Sequence, residues 1–141
     1  MLYDPANPVV QLCVKGIETE YSGDPEKAGD LYRQAWEQAT CSIELFTAAH
    51  YLARVQQDVG AGLRWNLVAL EQAKRIEEQD VAEVYPSLYL NVASSYEKLG
   101  DIQRAKEYYS LADTATIALP DDGYGNMIRK GINAGLDRME K

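Results

Sequence analysis

Apolar residues recur at intervals of three and four along almost the whole chain, and no segment alternates apolar and polar residues for long. That periodicity belongs to amphipathic helices rather than strands. Breakers interrupt it at Pro5 with Pro8, Gly23-Asp24-Pro25, Gly60 with Gly62, Pro86, Gly100-Asp101 and Pro120-Asp121-Asp122-Gly123. The pattern predicts seven helices, near 8–21, 25–39, 42–57, 61–78, 85–99, 102–117 and 124–139. Asp24 precedes Pro25 and Glu26, which supplies an N-cap acceptor, a proline at the first helical position and an acid at the positive helix end. Asp101 can cap the helix that begins at Ile102, and Gly23 and Gly100 suit the left-handed turn that closes a helix. In the last segment Tyr124, Ile128, Ile132, Leu136 and Met139 form one apolar stripe. Gly131 and Gly135 lie beside it, where they permit close packing.

Two stretches share one spacing. Gly16, Gly23, Asp24, Ala28, Tyr32 and Ala35 follow one another at intervals of seven, one, four, four and three. Ala93, Gly100, Asp101, Ala105, Tyr109 and Ala112 do the same 77 residues later. The separation corresponds to one repeat of ~34 residues and one longer one, so a third copy belongs between them. Small residues such as Gly16, Ala28, Ala93 and Ala105 let paired helices approach. Large ones such as Tyr32, Tyr89, Tyr96 and Tyr109 fill the space between pairs. A single pair cannot bury its apolar face, so pairs must stack.

The run Tyr89-x2-Val92-Ala93-x2-Tyr96 followed by Ala105-x3-Tyr109 resembles the tetratricopeptide repeat (TPR) signature. The copy at 86–119 lacks the usual closing proline, where Ile117 stands. The copy at about 9–42 has Lys15 and Thr19 in place of apolar and aromatic residues. The middle copy, about 42–80, is some nine residues too long, and its register is set on Ala49 and Leu52 with Leu70 and Ala73. The resemblance implies one all-α domain over 1–141. It would be a right-handed α-α superhelix of three TPR-like helical hairpins with a C-terminal capping helix at about 124–139. It also implies a concave face that binds an extended or helical peptide. On that face it places Val10, Cys13, Val14, Ile17, Glu20 and Tyr21 from the first pair, and Phe46, Thr47, His50, Ala53 and Arg54 from the second. From the third come Leu90, Asn91, Ser94, Glu97 and Lys98. Val14, Ile17 and Tyr21 make the apolar end of the face, as a binding surface would. The alternative is that residues 2–8 fold back over them. The Lys, Arg and Asn set that clamps a chaperone's C-terminal carboxylate in one TPR class falls here on Cys13, Ile17, Thr47, Ser87 and Asn91, so that ligand is not expected.

Charge narrows the partners. Fourteen Lys and Arg against twenty-two Asp and Glu leave a net charge of −8, which argues against nucleic acid and anionic membranes. It also argues against reading the ten tyrosines as a base-stacking platform. No apolar run approaches the ~20 residues of a membrane span. The first residues lack the order of an export signal, and the cytoplasm is the expected compartment. Cys13 and Cys41 read as small apolar fillers, with a redox pair the minor alternative. His50, the one histidine, has no nucleophile, carboxylate or further ligand at helical spacing, so neither catalysis nor a metal is expected, nor any cofactor. Glu77, Glu78, Asp80 and Glu83 lack calcium-loop spacing and read as a solvated bend. Trp36 and Trp65 read as packing residues. The expected function is a non-catalytic protein or peptide interaction module. The alternatives are a self-associating homodimeric unit and a peptide-sensing regulatory protein.

Overall fold

Five helices begin at a side chain that accepts a hydrogen bond from their own first turn. Asn7 accepts from Val9 N at 2.8 Å, Asp24 from Lys27 N at 3.0 Å and Asp58 from Ala61 N at 3.0 Å. Asp101 accepts from Arg104 N at 3.2 Å and Asp122 from Gly125 N at 2.8 Å. In a computed structural model that describes residues 4–77 and 79–141, with only the backbone of Gln79, the helices are α1 (Pro8–Tyr21), α2 (Pro25–Gln38), α3 (Ser42–Arg54), α4 (Val59–Ala73), α5 (Tyr85–Lys98), α6 (Ile102–Ala115) and α7 (Gly123–Met139). Short 3₁₀ segments occupy Gln79–Val84 and Thr116–Ala118. The described residues contain no strand. Gly23 and Gly100 have φ of 92° and 83°. Each closes its helix in the same way, with Asp24 N bonded to Thr19 O at 3.2 Å and Asp101 N to Tyr96 O at 2.9 Å.

Four predicted boundaries move. The third helix stops at Arg54 rather than near 57. The fourth starts at Val59 and runs through Gly60 and Gly62, because Asp58 and not a glycine marks its start, and it ends at Ala73 rather than near 78. The sixth gives way to 3₁₀ geometry after Ala115. The surplus length of the middle copy lies in the turn after Ala73 and in Gln79–Val84.

The chain divides into two units, Met1–Glu78 and Gln79–Lys141. In the first, α1 pairs with α2 and α3 with α4, and α3 also packs against both α1 and α2. Val9, Cys13, Ala28, Tyr32, Ala35, Ala48 and Leu52 form its buried cluster. A Cβ on Gly16 would overlap the Tyr32 ring, so the small residue admits a large one from the paired helix. Tyr32 then stacks on Tyr51 of α3, ring centroids 5.4 Å apart. Trp36 and Trp65 meet edge to face at 5.0 Å, which is the packing role expected of them. Ala49, Leu52, Leu70 and Ala73, used to set the middle register, are all buried.

In the second unit α7 packs on both α5 and α6. Ala93, Ala105, Tyr109 and Met139 form one buried cluster, and Ala112, Leu119, Ile128 and Ile132 another. A Cβ on Gly135 would overlap the Tyr109 ring, and one on Gly131 would come within 3.2 Å of Leu90 Cδ2. Both glycines therefore permit the close packing expected of them. Tyr124 does not join the stripe: it is 49% exposed, and the buried face begins at Gly125 and Ile128.

Candidate functional site

The predicted face contains two acidic residues, Glu20 and Glu97, and both are engaged. The Tyr32 hydroxyl donates to Glu20 Oε1 at 2.7 Å, and Arg54 Nη2 of α3 reaches Glu20 Oε2 at 3.0 Å. The Tyr109 hydroxyl donates to Glu97 Oε1 at 2.6 Å. Arg138 of α7 donates to Glu97 through Nε at 2.8 Å and Nη2 at 3.1 Å, and to Tyr109 Oη at 3.2 Å. In each unit a helical hairpin thus holds the next helix through a tyrosine, a glutamate and an arginine. The arrangement fits charge-assisted bonding, with a two-pronged guanidinium in the second case. The bonds from Arg138 and Tyr109 hold the Glu97 carboxyl below the usual carboxylate range. Burial, then the neighbouring Glu20, pushes the Tyr32 phenol upward. The spacing of Tyr32 and Tyr109 in the repeat signals this latch, but Arg54 and Arg138 stand at different distances from their glutamates in sequence, so the pattern alone does not pair them.

Several residues assigned to an open face lie inside. Cys13 and Phe46 are 2% exposed, and Val10 and Thr47 are also buried. Burial pushes the Cys13 thiol up to about 12, which keeps it protonated and inert. These residues are corrected from binding positions to core positions. Helical periodicity places them opposite the pair-packing face, but α1 and α3 bury more than one face. Leu90 is half-buried and packs against both clusters of its unit, with α7 covering it at Gly131. Asn91 and Ser94 are half-buried and Lys98 is exposed. Cys41 is no apolar filler: it is exposed and occupies the N-cap position of α3, where its side chain accepts no hydrogen bond from a backbone N–H of the first turn. Both cysteines are free.

The remaining face residues stay at the surface of the first unit. Val14 is 48% and Tyr21 82% exposed, and Ile17 between them packs partly on the core. Val14 also borders a shallow depression of about 480 Å³ lined by Pro5, Gln11, Val14, Lys15 and Glu18. The segment 4–8 does not cover Val14 or Tyr21. Gln11 Nε2 donates to Pro5 O at 3.3 Å, and Asn7 Nδ2 donates to Glu44 at 2.8 Å. Residues 2 and 3 of the predicted fold-back lie outside the described residues.

Arg54 sits 6.0 Å from the Tyr51 ring centroid. His50 contacts Phe46 and Tyr51, with ring centroids 6.2 and 4.9 Å away. Its Nδ1 is buried with no hydrogen-bond partner among the described residues. Burial, and secondarily the charge of Arg54, lowers its pKa to about 4. His50 is therefore a neutral, packed histidine at ordinary pH. Glu77, Asp80 and Glu83 are exposed, and Glu78 lies outside the described residues. Among the described residues no three His, Cys, Asp or Glu side chains are placed to share a metal ion.

No protein-family model matches the chain, and no curated protein and no solved structure is detectably similar to it. Among the described residues no helix is long and apolar enough to cross a membrane.

Proposed function

We propose that this is a TPR-like, non-catalytic module that holds a peptide or protein segment on a helical face. The observation that carries the reading is the apolar strip Val14–Ile17–Tyr21 on α1. Its outer members are exposed while the inner one is anchored in the core. Such a strip gives a partner apolar surface to bury on a helix whose position is already determined. The repeated latches support the repeat assignment, since two hairpins 77 residues apart grip the following helix with the same residue types. The TPR superhelix, with its concave face, is the arrangement we infer from them.

The test begins with a peptide selected from a random library by the full chain. Its affinity is then measured by titration calorimetry on wild type, Val14→Asp and Tyr21→Asp. Both positions are exposed, so the variants should keep their circular dichroism. Each should weaken binding about tenfold, the value of burying roughly one apolar side chain. Unchanged affinity in both overturns the reading. Phe46→Asp is unsuitable as a control, because it would place a charge in the core. The same strip could bury itself against a second copy. Light scattering over a range of concentrations separates that case, which a strict monomer removes.

A further inference from the structure

Helix α1 carries three charged residues, Lys15, Glu18 and Glu20. Glu20 is engaged by Tyr32 and Arg54. Lys15 and Glu18 are exposed, opposite in sign and three residues apart, and neither enters an ion pair among the described residues. They border the depression of about 480 Å³, whose wall on α1 is Gln11, Val14, Lys15 and Glu18. Residues at i, i+3, i+4 and i+7 are the four that frame a hole on a helix surface, the kind that takes one side chain from a facing helix. Tyr21, the next residue along this face, is 82% exposed. From this we infer that the strip is occupied by a second copy of this chain. The two α1 helices lie antiparallel about a twofold axis, and Tyr21 of each copy enters the hole of the other. The inference rests on the reading of Val14–Ile17–Tyr21 as a docking surface and names what docks there.

Charge decides the orientation. Two parallel α1 helices would set Lys15 against Lys15 and Glu18 against Glu18. Antiparallel helices, with the axis midway between Gly16 and Ile17, bring each Lys15 level with Glu18 of the other copy. The twofold symmetry then makes two opposite-sign pairs from one residue of each kind. The exposed charges of α1 sum to zero, so the contact itself is spared the repulsion that a net charge of −8 brings to each copy, and salt screens the remainder beyond ~8 Å.

Shape gives the same register independently. The axis that pairs the charges brings Tyr21 level with Leu12 of the other copy. A helical side chain leans towards the N-terminus of its own helix, which carries the ring along the antiparallel copy to residues 13–15, over the hole. There it meets Val14, 48% exposed, and the wall made by Pro5. An aromatic ring of this kind supplies contact area at little entropic cost. A contact made by one helix pair stays below the ~1,200 Å² of a standard interface, so the dimer is weak, with a Kd of about 10–100 µM.

The full chain is followed by sedimentation velocity from about 5 µM to about 1 mM. A monomer–dimer equilibrium is expected, and Tyr21→Asp should weaken it about tenfold or more. Lys15→Glu and Glu18→Lys each set like charges against each other twice, so each alone should weaken pairing about three- to tenfold. Mixed in equal amounts, the two variants should pair again, because every facing pair is then opposite in sign; a purely structural role for either residue gives no such rescue. A chain that stays monomeric to about 1 mM overturns the inference, and the peptide titration on Val14→Asp still decides by itself whether the strip binds a partner. A dimer indifferent to Tyr21→Asp, or charge variants that fail to rescue one another, also overturns it.

Discussion

Gly135→Ala should destabilise the second unit even though alanine is the better helix former. Two effects compete. Replacing an interior helical glycine by alanine gains about 1 kcal/mol. Against it, the new Cβ would overlap the ring of Tyr109. That ring is fully buried and its hydroxyl is tied to Glu97 and Arg138, so it has little room to yield. Overpacking of a well-filled core costs about 1–3 kcal/mol and more where nothing can move. The net expectation is a loss of about 1–2 kcal/mol. Urea denaturation followed by far-ultraviolet circular dichroism reads this as a lower midpoint with unchanged slope. Gly29→Ala is the internal control: its Cβ makes an ordinary contact, so the propensity gain should survive as about 0.5–1 kcal/mol of stabilisation. Tyr109→Leu removes the ring that collides. In a double-mutant cycle it should therefore make Gly135→Ala cheaper by at least about 1 kcal/mol. If Gly135→Ala and Gly29→Ala stabilise equally, the close approach of α7 to α6 is wrong and so is the role assigned to the small residues.

Three further outcomes are expected. His50, with a pKa of about 4 folded against 6.5 as the reference value, stays neutral in the native protein while the unfolded chain takes up a proton. Stability should thus fall as pH drops from 6.5 towards 4, by at most about 3 kcal/mol given solvent screening at the exposed part of the ring. His50→Phe should flatten that slope in urea titrations at several pH values, and an unchanged slope counts against it. Glu97→Gln weakens the bonds from Arg138 and Tyr109 and should cost about 1–2 kcal/mol; because the Glu97 carboxyl is held low, its stabilisation is full above pH 4.5 and is lost below it, so mutant and wild type should converge in acid. Asp101→Ala removes the α6 cap and should lower stability by about 1 kcal/mol, whereas no loss would mean the cap is dispensable.

The all-helical class and most helix starts were legible in the chain itself, because period, caps and left-handed glycines act over a few neighbouring residues. Asp24 with Pro25 and Asp101 after Gly100 show this most plainly. The start of α4 is the exception, because Gly60 and Gly62 read as breakers while the cap at Asp58 sets the helix going two residues earlier. The small residues beside the last apolar stripe were legible too, as was the recurrence that puts Tyr32 and Tyr109 in equivalent places. Only the tertiary structure decided which faces remain open. Cys13, Phe46 and Leu90 stand on helix faces that a single repeat would leave bare, yet the core of the first unit takes in Cys13 and α7 covers Leu90. Likewise the arginine partners of Glu20 and Glu97 come from 34 and 41 residues away, at no common spacing. Local backbone preference is carried by adjacent residues and can be read from them. Burial and ion pairing depend on which distant surface arrives, and that is set by how the helices pack.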